Sequence, residues 1–290
     1  MGRFARRRDG VIGGLILLAF GILALSPDLF VGPLESVVTA TGDRFDPPAA
    51  MHLFGTDRQG RDMLNLTTHG TRVSMVIGLL ATVITVFIGS LIGILSGFLG
   101  GRVDTVLMRI TDFFLVLPTF VLALILAPVL LDIIGTQAEV FGMRMTLVVI
   151  VLVIGITSWA STARIIRSQT LSLHERAFVD RARVIGAGPG WIMRRHILPN
   201  VVNLIVANTV LTFAGAVLTE TTLSFIGLGD PFEPSWGQLL NQAQSDGAAG
   251  LGAWWVLAPP GIAIILVVLA FTLVGGALDD LLNPKLRGRR

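Results

Sequence analysis

Five stretches of this chain, residues 73–99, 113–131, 145–163, 201–218 and 254–278, contain no charged side chain. Each is close to the roughly 20 apolar residues that a helix needs to cross the hydrocarbon core of a bilayer. Lipid offers the backbone no hydrogen-bond partner, so such stretches fold as helices that satisfy their own amides and carbonyls. A sixth stretch, residues 11–30, is poorer because it contains Ser26, Pro27 and Asp28. The expectation is an all-α integral membrane protein with six spans. Composition agrees: 14% of residues are charged, against about 25% in an average soluble domain.

The first stretch follows Arg6, Arg7 and Arg8, and Ala24-Leu25-Ser26 imitates the small-residue site of a secretory leader. Pro27 would hinder cleavage there, so an uncleaved anchor is expected. With six spans and an internal N-terminus, 17 of the 22 Lys and Arg residues fall on one side, leaving Arg44, Arg58, Arg61, Arg72 and Arg144 on the other. The excess of basic loops on the cytoplasmic side places both termini in the cytoplasm. The chain divides into residues 1–72, a tail with the first span and an external loop, and residues 73–290, a five-span core with a long basic loop at 172–199.

Several functions are excluded at once. There is no cysteine, so disulfides, thiolate metal sites and cysteine nucleophiles are absent. Lys285 is the only lysine and follows Pro284, so the chain has no phosphate-binding G-x-x-x-x-G-K-[ST] loop. A sequence pI near 10.8 suggests nucleic acid, but the formal charge is only +3 and the arginines lie in short blocks beside apolar segments. That distribution suits membrane topology and headgroups rather than a phosphate track. His52, His69, His174 and His196 are scattered without metal-ligand spacing.

The most charged stretch is "RAFVDRARVIGAGPGWIMRRHILPN", residues 176–200. Ser172-Leu173-His174-Glu175 fits the S-x-x-E capping pattern and predicts a helix starting there. Leu171, Phe178, Ala182 and Ile185 then share one face, and Arg176, Asp180 and Arg183 another. Gly186 is a natural left-handed terminator, and Gly188-Pro189 opens a second helix over residues 191–198 that Pro199 stops. Such a hairpin suits either a loop resting on anionic headgroups or an element that docks into a partner's groove.

These residues resemble the EAA loop of binding-protein-dependent ABC importer permeases, written E-A-A, three residues, G, nine residues, I-x-L-P. Asp180-Arg181-Ala182 stand at E-A-A, Gly186 at the glycine, His196 at the isoleucine and Leu198-Pro199 at the end. The spacing is complete, while Asp180, Arg181 and His196 depart in residue type. Two further stretches, "HLFGTDRQGRDMLNLTTHGTRVSMVIG" at 52–78 and "LTETTLSFIGLGDPFEPSWGQLLNQA" at 218–243, are similar to the C-type permease of the dipeptide and oligopeptide branch, which also includes nickel systems. The resemblance implies the type I importer permease fold in a bacterial cytoplasmic membrane, and no enzyme activity or cofactor in this chain. It further implies a homologous B-type permease, two cytoplasmic ATPase subunits that bind ATP and Mg, and an extracytoplasmic binding protein that selects a peptide, nickel, glutathione or another small ligand. The loop residues Phe178, Asp180, Arg181, Ala182, Arg183, Gly186, His196, Leu198 and Pro199 would then couple to the ATPase.

Other residues have more than one reading. Glu220 lies just past the fifth apolar stretch, where a carboxylate marks either a functional group near the outer mouth or an interfacial acceptor near Trp236. Asn203 and Asn208 suit interhelical hydrogen bonds, and Asn208 also suits a pathway wall. Asp57, Arg58, Arg61 and Asp62 form either an internal salt-bridge network or a contact for the binding protein. Arg109 can pair with Asp112 three residues on. Pro118 kinks the third span, Pro259 and Pro260 bend the sixth, and Trp254 and Trp255 sit in an aromatic belt.

Two other classes compete. A membrane enzyme could be imagined using His174, Glu175, Asp180 and His196, with Ser168 or Ser172 as nucleophile, but no nucleophile elbow surrounds them. A transporter or channel working alone would place coupling charges within its spans, and five of the six apolar stretches carry none.

Overall fold

Glycine at every fourth position lets two helices touch along their backbones, and such a contact forms the spine of this protein. In the computed structural model, which describes residues 8–135, 138–140 and 142–282, helix α4 (Met63–Leu99) runs against helix α7 (Met145–His174) over most of its length. A β-carbon added at Gly89, Gly93 or Gly97 would come within 2.7, 2.6 and 2.8 Å of Trp159 O, Ala163 O and Thr170 Cβ respectively. Gly155 of α7 returns the arrangement, facing Ile84 at 2.6 Å. Small residues are the usual means of close helix approach in lipid, where apolar burial gives no drive of its own.

Around this pair the remaining helices assemble in layers. The helix α10 (Leu198–Leu223) packs on α4 and on α12 (Trp254–Leu282), and α1 (Arg8–Leu25) packs on α12 and α4. Ile77, Ile150, Ile154, Ala123, Ala127 and Leu223 fill the centre. Among the described residues five helices are long and apolar enough to cross a membrane, six when one bent pair counts as a span. The basic end of the bundle carries the start of α1 and the 172–199 loop. The opposite, loop end carries residues 38–62, a two-stranded hairpin of β1 (Glu139–Val140) and β2 (Met143–Arg144), and α11 (Trp236–Ser245). The terminal basic residues before Arg8 and from Lys285 onward lie outside the described residues.

Three expected spans are corrected. The first helix ends at Leu25, and a separate short helix α2 (Pro27–Val31) follows, since Pro27 has no amide to continue the ladder. The second begins at Met63, capped by the Asp62 carboxylate on the amides of Leu64 and Asn65, so the expected boundary at residue 72 falls inside α4. The third is broken rather than kinked: α5 (Gly101–Val116) and α6 (Thr119–Ile134) meet at 89°. Leu117, driven extended by the following proline (ψ 129°), and Pro118 (ψ 113°) form the corner. In contrast, α12 continues as one helix through Pro259 and Pro260.

The fourth span, α7, continues past Ala163 to His174 and carries Arg164 and Arg167. Arg167 forms a two-pronged hydrogen bond with Asp104 of α5, and Arg164 binds Asp112. Asp112 thus takes Arg164 as its partner instead of the expected Arg109.

If the α4–α7 contact holds the fold, Gly93→Leu forces that contact apart. It should lower stability by about 1–3 kcal/mol or more, read as a fall in the melting temperature of the detergent-purified protein. Gly21→Ala, whose β-carbon meets nothing within 4 Å, should leave the melting temperature unchanged or slightly raised.

Candidate functional site

The loop after α7 is a compact hairpin folded back on the bundle. Glu175 closes α7, its amide donating to Leu171 O and that of Arg176 to Leu173 O, so Ser172 lies inside a helix and caps none. The expected helix start is therefore displaced: Arg176 is extended (ψ 139°) and α8 spans Ala177–Val184. This restart shifts the helical phase and changes which face packs. Val179 and Ala182 are buried against Phe98, Leu173, Ile192, Ile197 and Val201. Phe178 is only marginally exposed, whereas Val184 and Ile185 are 87% and 80% exposed, so Ile185 does not join Ala182 on the packed face that the spacing gave them in common.

Gly186 ends α8 in the left-handed conformation (φ 87°), with Ala187 N donating to Ala182 O and Gly186 N to Arg183 O. This is the Schellman arrangement that glycine favours. Pro189 then opens α9 (Pro189–Ile192), as its spacing after Gly186 predicts. Pro199 does not stop the next helix: a five-residue π turn, Met193–Ile197, joins α9 to α10, with Leu198 N donating to Met193 O. The wider turn accommodates the donor that Pro199 lacks.

The side chains of the loop sort into an apolar tip and a basic rim. His196 lies between Phe178 and Trp191, with ring centroids 5.6 and 5.2 Å away, so its ring serves as packing surface. Arg183 bonds Asp180 at 3.3 Å and also contacts His174. Arg176, Arg181, Arg194 and Arg195 are exposed, as are Leu198 and Pro199. The loop thus exposes Val184, Ile185 and Trp191 together with several guanidinium groups.

A second polar assembly sits near the loop end. Glu220 is wholly buried in α10: Ser224 Oγ donates to its Oε1 at 2.8 Å, and the hydroxyls of Thr221, Ser235 and Ser74 also face the carboxyl. Trp236 is equally buried, its backbone amide donating to Ser74 Oγ and its indole to Thr67 O, both at 3.2 Å. Glu220, Ser74 and Ser235 thus tie α10, α4 and the start of α11 together. Asn208 donates to Thr162 Oγ1 of α7 at 3.0 Å and is half-buried.

The four charges at 57–62 are satisfied within the chain. Asp57 accepts from the Gln59 and Arg61 amides and pairs with the Arg61 guanidinium, which also donates to Gln242 Oε1 at 2.9 Å. Asp62 caps α4 and bonds His52 Nδ1 at 2.8 Å. Arg58 pairs with Asp246 at 3.0 Å and keeps an exposed side chain. Nearby, burial first and then Asp230 hold the Glu233 carboxyl above the usual range, against the pull of Arg144. Among the described residues no three His, Asp or Glu side chains gather as a metal site.

The fold and this layout define a membrane permease. A family model described as the inner membrane component of binding-protein-dependent transport systems matches residues 89–288, and the chain belongs to that family. The dipeptide transport system permease protein DppC of Bacillus subtilis is 34% identical over 289 residues, covering 98% of this chain and 85% of that protein. The oligopeptide transport system permease protein OppC of Haemophilus influenzae is 35% identical over 284 residues, 96% of this chain and 86% of that one. A Brucella suis chain provisionally named a peptide transport system permease protein reaches 38% over 288 residues, 98% and 90%. Among solved structures, an inward-facing form of the MetNI methionine ABC transporter superposes with a TM-score of 0.58 at 18% identity. That match covers 76% of this chain and 96% of the other, and it confirms the type I importer permease fold.

Because Glu220 answers several buried hydroxyls, Glu220→Ala should cost about 1–3 kcal/mol of stability, read by thermal unfolding in detergent. Glu220→Gln retains an acceptor and should lose less than half as much.

Proposed function

We propose that this chain forms half of the passage of an ATP-driven importer for peptides handed over by an extracytoplasmic binding protein. The supporting observation is the hairpin at 175–197, which exposes Val184, Ile185 and Trp191 along with arginines on a base rooted in α7 and α10. An apolar tip left in water at the end of two rigid helices is suited to a groove with an acidic rim. In this reading the groove belongs to a cytoplasmic ATPase subunit, one of two that bind ATP and Mg. The basic end then faces the cytoplasm, as the distribution of arginines favours, and a homologous B-type permease completes the passage.

The roles of individual residues follow from their surroundings. Ala182, Gly186 and Pro199 shape the hairpin, while Asp180, Arg181 and Arg183 supply its polar rim. Glu220 and Trp236, both enclosed, hold the external helix α11 in place, so their contribution to the mouth is to fix its walls. Of the cluster at 57–62, Arg58 is the member with an exposed charge for the binding protein. The peptide class is supported by the names of the relatives at 34–38% identity. Swinging such a passage from one facing to the other, 1:99 to 99:1, requires about 5.5 kcal/mol of differential binding, within reach of closing two ATPase subunits on ATP.

Replacing both tip residues, Val184→Asp with Ile185→Asp, should weaken docking by at least about 2 kcal/mol, the scale of an interface hot spot. Co-purification of the ATPase subunits and peptide uptake should then both fall while membrane insertion persists. Ala182→Asp, which places a charge against the buried face, should abolish uptake as well. Full retention of the ATPase subunits by the tip variant would refute the docking role.

A further inference from the structure

The helix α7 is continuous from Met145 to His174, and its last turn leads directly into the docking hairpin. Displacing the hairpin therefore displaces α7. The bent pair α5 and α6 packs on α7, and α5 also packs on α4, to which the turn at Gly100 joins it. At its corner Leu117 and Pro118 are both extended and Pro118 has no amide to carry the ladder from α5 into α6, although its carbonyl accepts from Leu122 N at 3.1 Å.

The hold of α7 on α5 at the basic end is ionic. Arg167 Nε and Nη2 donate to Asp104 Oδ1 and Oδ2 at 2.6 Å each, and Ser96 of α4 donates to the same carboxylate. One turn earlier on α7, Arg164 Nη2 donates to Asp112 Oδ1 at 2.6 Å, and beyond it Phe114 packs on Trp159 at 5.2 Å. Exposed salt bridges contribute little, but Arg167 and Asp104 differ. Their side chains are 29% and 21% exposed, the bond is two-pronged, and one carboxylate joins three helices. A planar fork of this kind fixes orientation as well as distance.

We propose that Arg167, supported by Arg164, is a positioning residue for transport: its grip on Asp104 makes α5 travel with α7, so that movement of the hairpin re-angles the broken span at Leu117–Pro118. The proposal rests on the importer reading above. It assigns no contact with the cargo to either arginine.

The test uses the full complex in proteoliposomes. The chain has no cysteine, so spin labels at Val106→Cys and Ile165→Cys, both exposed positions, report the α5–α7 separation directly. The expected separation is single and narrow with or without ATP, and it should broaden in Asp104→Asn. Uptake in Asp104→Asn should drop about tenfold, within the usual range of coupling between sites, with the ATPase subunits still co-purifying. The exchanged pair Asp104→Arg with Arg167→Asp should recover both the narrow separation and most of the uptake. A narrow separation and full uptake in Asp104→Asn would overturn the proposal, as would an exchanged pair that restores the separation without restoring uptake. Absence of ATP-dependent peptide uptake by the unmodified complex would instead overturn the importer reading, and the label distances would still report whether the grip exists.

Discussion

Everything in this chain hangs on the backbone contact between α4 and α7. Gly89, Gly93 and Gly97 bring one helix so close that an added β-carbon would meet the carbonyls or side chains of the other at 2.6–2.8 Å. Lipid tails are as apolar as leucine, so burial alone gives two spans little reason to associate; close van der Waals packing does. With that pair fixed, α10 has a surface to pack on, α6 has Leu147 to Ile154 to rest against, and Ser74 of α4 is delivered to Glu220. The α4–α7 pair thus connects the two ends of the molecule, with the polar assembly around Glu220 near one and the hairpin rooted in α7 at the other.

The two ends are built by different means. At the loop end, Glu220, Ser74, Ser235 and Trp236 make a buried polar knot in which the main groups have partners. Such a knot favours rigidity, since loosening one member exposes the others unpaired. At the basic end, the hairpin buries Val179, Ala182, Ile192 and Ile197 and leaves Val184 and Ile185 largely exposed. A rigid frame with one exposed apolar tip is what a passive subunit moved by another protein requires. Membership of the inner-membrane component family of binding-protein-dependent transport systems agrees with that division of labour.

The apolar stretches disclosed the membrane class and most spans because charge-free runs of about 20 residues have few alternatives. The spacing from Asp180 through Gly186 to Pro199 disclosed the hairpin, and Gly186 does take the left-handed turn that its place requires. What escaped was phase and register. Ser172 and Glu175 match a capping pattern, yet helical propensity and packing carry α7 through Ser172 to its end at His174; the restart at Ala177 then leaves Ile185 outward while Ala182 packs. The third span reads as one apolar run, but a proline after Leu117 broke it into two helices at 89°. The Arg167–Asp104 grip joins residues 63 positions apart, and local spacing carries no signal for it. The glycines at 89, 93 and 97 did stand in sequence at the four-residue interval that marks a helix contact, and they are the feature that sequence reading left unused.

In the proposed function this chain is the moved half of a two-permease passage, with its hairpin seated on an ATPase. The most direct measurement is purification of the tagged chain from native membranes in mild detergent, with mass spectrometry and an ATPase assay on what comes with it. The account predicts a second permease, one or two ATPases carrying phosphate-binding loops, and ATP hydrolysis in the eluate, with a peptide-loaded binding protein captured when it is added. A homo-oligomer free of other subunits and without ATPase activity would contradict it, and would make the exposed tip at Val184 and Ile185 a membrane-surface contact instead.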